Sequence, residues 1–78
     1  MSTVYIAGLP FSFSNEMLHA LTFSCGDIRH VKYIPPRENR NTSFGFVTFA
    51  TQESADIAIE SLQGRTFAGH TLRVEYAR

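Results

Sequence analysis

Thr42-Ser43-Phe44-Gly45-Phe46-Val47-Thr48-Phe49 carries large apolar side chains at both even and odd positions, so an extended strand here presents bulk on both of its faces. One face must be core. The rest of the chain has room for two helices, which can cover one side of a sheet, leaving the second set of rings without a protein layer over it. Aromatic rings held on an open, rigid sheet form a platform for flat partners, and the bases of single-stranded nucleic acid are the commonest of these.

Working outward, Thr3 to Ala7 is β-branched and aromatic, hence a strand, closed by Gly8-Leu9-Pro10. Ser14 reads as the N-cap of a helix with Glu16 in its first turn; Leu18, Leu21 and Cys25 follow at helical spacing, and Gly26 stops it. Ile28, Val31 and Tyr33 mark a second strand whose imperfect alternation points to a bulge, ended by Pro35-Pro36. Residues 37–41 form a polar loop, so this strand and the one containing Phe44 make a hairpin. Thr51-Gln52-Glu53 opens a second helix with Ala55, Ala58, Ile59 and Leu62 as its apolar stripe and Gly64 as its stop. After a turn at Ala68-Gly69, Leu72, Val74 and Tyr76 alternate in a last strand.

The order is βαββαβ. This is an α+β architecture, the ferredoxin-like split β-α-β sandwich: one four-stranded antiparallel sheet with two helices on one face. With 78 residues, 44% of them apolar and 18% charged, the chain is expected to fold as one domain over 1–78. A single cysteine excludes an internal disulfide, and the opening residues lack the pattern of a signal peptide. No segment is long enough for a membrane span, and an intracellular location is expected.

Seven Lys and Arg balance seven Asp and Glu. The balance hides a segregation. Glu16, Glu53, Asp56 and Glu60 fall in the helical stretches, which contain no Lys or Arg; Arg29, Lys32, Arg37, Arg40, Arg65, Arg73 and Arg78 all lie on strands, loops and the carboxyl end. The sheet side is thus expected to attract anions modestly, with strong screening by salt, and the acidic helical side is open to protein contacts.

From Thr3 to Ala77 the chain resembles the RNA-recognition motif family. Residues 42–49 match the last six positions of that family's octapeptide (basic, Gly, aromatic, Gly or Ala, Phe, Val, any, aromatic), and Val4-Tyr5-Ile6-Ala7-Gly8-Leu9 matches its hexapeptide. Gly26-Asp27-Ile28, the spaced Ala55, Ala58, Leu62 and Gly64, and Leu72-Arg73-Val74-Glu75-Tyr76-Ala77 look like the family as well. The resemblance implies that Tyr5 and Phe44 stack bases and that Phe46 packs on a sugar, all three outward on the two central strands. The alternation agrees, leaving Gly45, Val47 and Phe49 on the helix side. Lys32, Arg40, Arg73 and Arg78 would steer the backbone, and Glu75 would accept from a base amino group. The expected partner is single-stranded RNA, bound by a monomer acting in RNA metabolism.

The octapeptide departs from the family at its first position, where Thr42 replaces a phosphate-pairing basic residue, and at its second, where Ser43 replaces Gly. Arg40 in the preceding loop could substitute for the lost charge. The first helix carries Thr22-Phe23 where the family tends to place Phe followed by a polar residue.

Two other binding readings compete. The three rings could face a third protein layer. Alternatively, Arg65-Thr66-Phe67 after the second helix resembles the variety of this fold that grips tryptophan-bearing peptides, although Phe67 also fits as a cap over the core. Acylphosphatases share the strand and helix order, but their anion loop needs an Arg that Gly8-Leu9-Pro10-Phe11-Ser12-Phe13 lacks, so no enzyme is expected. His19, His30 and His70 are scattered without partners at ligand spacing, and neither a metal nor a cofactor is expected.

Overall fold

A computed structural model describes residues 1–10, 12–38, 42–67 and 69–77. The chain runs through β1 (Ser2–Pro10), α1 (Asn15–Thr22), a 3-10 turn (Phe23–Cys25), β2 (Ile28–Ile34), β3 (Thr42–Phe49), α2 (Gln52–Leu62), a small hairpin of β4 (Thr66–Phe67) and β5 (His70–Thr71), and β6 (Arg73–Tyr76). Four of the strands form one antiparallel sheet in the order β2-β3-β1-β6. This is the anticipated sandwich, with one addition. β4 and β5 pair Thr66 with Thr71 and Phe67 with His70 in a separate ribbon.

Each helix starts where its cap lies. The Ser14 hydroxyl accepts from the Met17 N–H at 3.2 Å, and Thr51 does the same for Ser54 at 3.2 Å. Leu18, Ala55, Ala58 and Leu62 face the sheet and bury against Val4, Ile6, Val47, Phe49 and Val74. Gly45 is what lets α1 approach. It belongs to the buried set of β3, and a Cβ there would overlap the Leu18 side chain.

Two irregularities differ from the spacing-based expectation. The helical run does not continue to Cys25; it tightens into the 3-10 turn, which still buries Cys25. Burial pushes the Cys25 thiol up, since the thiolate would lose its hydration. Leu72 lies just outside β6: its N–H donates to the Arg65 carbonyl at 2.7 Å and its carbonyl accepts from Gly64 at 3.1 Å. The imperfection in β2 is a register shift between Ile28 and His30, at the start of the strand.

The unusual Thr22-Phe23 order has a definite outcome. Thr22 is fully buried and its hydroxyl donates to the Leu18 carbonyl at 2.9 Å, while Phe23 is 63% exposed and stacks on His19.

Candidate nucleic-acid interface

The strand registers lay out the open face row by row. Lys32, Phe46, Tyr5 and Glu75 stand directly opposite one another across β2, β3, β1 and β6. The next row toward the β2–β3 connection is Ile34, Phe44, Ala7 and Arg73. On the other side His30, Thr48 and Thr3 make a polar row, in which the two threonine hydroxyls share a hydrogen bond of 2.8 Å.

The three rings form one group. Tyr5 lies 5.5 Å from both Phe44 and Phe46, and those two are 6.0 Å apart at an interplanar angle of 88°. All three are half-buried rather than exposed, because each shields the edge of another. Shallow depressions flank the group. One, of about 380 Å³, is lined by Tyr5, Phe46, Arg73, Glu75, Tyr76 and Ala77; another, of about 330 Å³, lies between Tyr5, Phe44, Thr42 and the Pro35–Arg37 corner.

Of the eight residues anticipated for the site, the structure brings six onto this face: Tyr5, Phe44, Phe46, Lys32, Arg73 and Glu75. Arg40 and Arg78 lie outside the described residues, as does Ala68 of the anticipated turn. Lys32 is exposed and opposite a ring. Arg73 and Glu75 interact with each other, Nε to Oε2 at 3.5 Å, in an exposed pair that water competes with freely. Among the described residues no three His, Cys, Asp or Glu side chains are grouped as a metal site would require.

Ser43 is a contact that sequence reasoning left open. It is buried, and its hydroxyl donates to the Pro10 carbonyl at 3.0 Å, tying the start of β3 to the end of β1 beyond the register shift between Ala7 and Leu9. Gly8, at φ +85°, is the residue that makes that shift possible. The non-glycine residue at the octapeptide's second position therefore reinforces the platform.

Residues 4–73 match the RNA recognition motif. The chain belongs to the RNA recognition motif family. Among the relatives of this family member, the glycine-rich RNA-binding protein 3, mitochondrial, of Arabidopsis thaliana is 35% identical over 97% of the chain. The glycine-rich RNA-binding, abscisic acid-inducible protein of Zea mays is 37% identical over 95% of it, and the small RNA-binding protein 11, chloroplastic, of Arabidopsis thaliana 32% over 99%. The motif spans only 25%, 48% and 53% of those three proteins. Among solved structures, the crystal structure of RNA binding protein PG1 superposes with a TM-score of 0.85 at 29% identity, covering 99% of this chain and 94% of that one. The Rna15 RRM with bound RNA (GU) shares the fold, with a TM-score of 0.83 at 21% identity over 96% of this chain and 81% of that one. Nothing in the family match or in the relatives' names points to catalysis.

Proposed function

We propose that this RNA recognition motif binds short single-stranded RNA across the open face of its sheet. The observation that carries the reading is the cluster of Tyr5, Phe44 and Phe46 within 6.0 Å of one another on the side away from both helices. Tyr5 and Phe44 take two adjacent bases, Phe46 packs on the sugar between them, and Lys32 and Arg73 attract the backbone. Glu75, opposite Tyr5, accepts from a base amino group once Arg73 turns to a phosphate. Each stack is worth about 1–3 kcal/mol, so two or three stacks with a few polar contacts give micromolar affinity, about −8 kcal/mol. The names of the relatives support RNA as the polymer.

The test is titration of a fluorescein-labelled degenerate RNA octamer. Phe44→Ala with Phe46→Ala is expected to abolish binding, with the backbone amide spectrum still that of a folded protein. Undiminished binding by that double variant would refute the reading.

The tryptophan-peptide reading is not favoured. Phe67 is half-buried against the core and meets Phe13 edge to face at 5.5 Å, which engages the ring such a peptide would need.

A further inference from the structure

The family's octapeptide begins with a cation, and here the position is Thr42, a neutral hydroxyl. The structure brings a different cation to that place. After β2 the chain turns through Pro35 and Pro36, and Arg37 then lines the same 330 Å³ depression as Thr42, Phe44 and Tyr5. Among the described residues Arg37 is the one charged residue in that lining, which is otherwise hydroxyls, prolines, aromatic rings and small residues. It is exposed, and among the described residues no carboxylate pairs with it; the ion pairs there are Arg29 with Asp27 and Arg73 with Glu75.

Geometry favours a fixed role for it. Two consecutive prolines restrict the backbone immediately before Arg37, so the side chain starts from a stiff stem. Its guanidinium offers planar paired donors, which match two oxygens of one phosphate, whereas a lysine ammonium offers only a point charge. Lys32 stands a row away, opposite Phe46, and Arg73 is across the sheet beside Glu75, so neither shares this depression.

We infer that Arg37, with Thr42 lining the same depression, is the phosphate-holding corner of the interface, and that it takes the backbone phosphate next to the base on Phe44. The charge missing from β3 has been relocated to the corner after β2. This inference rests on the RNA reading above.

The experiment titrates the labelled degenerate RNA octamer over a series of KCl concentrations with four proteins: unsubstituted, Arg37→Gln, Arg37→Gln with Thr42→Arg, and Phe44→Ala. Arg37→Gln is expected to weaken binding about threefold to fivefold at low salt and to flatten the log–log salt slope by about 0.7, the value for one single-strand phosphate. Adding Thr42→Arg should restore both affinity and slope, because it returns the cation to the other wall of the same depression. Arg37→Gln indistinguishable from the unsubstituted protein, with Phe44→Ala still defective, overturns the inference and leaves the RNA reading standing. A double variant that binds no more tightly than Arg37→Gln alone also overturns it. Failure of the unsubstituted protein to bind the octamer, or full binding by Phe44→Ala, would remove the RNA reading and this inference together.

Discussion

Gly45 and Ser43 show how two small residues between the aromatic positions hold the platform from behind. Gly45 sits under Leu18 and has the Lys32 carbonyl 3.1 Å from where a Cβ would be, so a methyl there must displace the buried Leu18 side chain and press on the β2 backbone. Gly45→Ala should therefore cost about 1–3 kcal/mol through overpacking, seen as a fall in thermal midpoint of roughly 4–8 °C per kcal/mol for a domain of this size. An unchanged midpoint would mean that Leu18 repacks without loss. This role was legible in the sequence, since strict alternation from Phe44 to Phe49 assigns Gly45 to the face that helices cover. The role of Ser43 was not, because its partner is a carbonyl 33 residues away whose position depends on the shift at Gly8.

The helices and strands are stitched at the sheet margins by one amide each. β2 and β6 are the outer strands, and outer strands expose backbone groups that can recruit foreign chains. Asn15, the first residue of α1, accepts from the Tyr33 N–H of β2 at 2.6 Å; Gln63, just after α2, donates to the Val74 carbonyl of β6 at 2.8 Å and accepts from its N–H at 2.9 Å. Gln63→Ala should cost about 1–2 kcal/mol for two hydrogen bonds and accelerate exchange of the Val74 amide hydrogen in NMR measurements, with Asn15→Ala doing the same at Tyr33. Exchange at Val74 unaffected by Gln63→Ala would show that the amide does not protect the margin. The order of the six main elements, the Ser14 cap and the core stripe could be read from spacing. The β4–β5 ribbon could not: Thr66, Phe67 and Thr71 favour strands, but two residues per strand are too few for alternation to declare itself, and it is the pairing of Thr66 with Thr71 and Phe67 with His70 that reveals it.

For the molecule as a whole, zero net charge conceals two dissimilar sides. Both helices are acidic and contain no Lys or Arg, while Lys32, Arg37 and Arg73 surround the rings. With two or three phosphates neutralised by these described cations, log affinity for the octamer should fall against log salt with a slope of about −1.4 to −2. A slope well beyond that would mean that additional cations reach the strand. This segregation is legible in the order of charges along the chain, which leaves both helical stretches without a cation. The proximity of Arg37 to Thr42 is not, because it depends on where two prolines turn the backbone.

Because β1 and β6 are antiparallel neighbours, the Ala77 N–H reaches the Thr3 carbonyl at 2.9 Å, and the two ends of the motif lie side by side at the margin remote from Arg37. Anything spliced onto either end thus departs from a common exit. That exit lies at the opposite end of the strands from the Pro35–Arg37 corner.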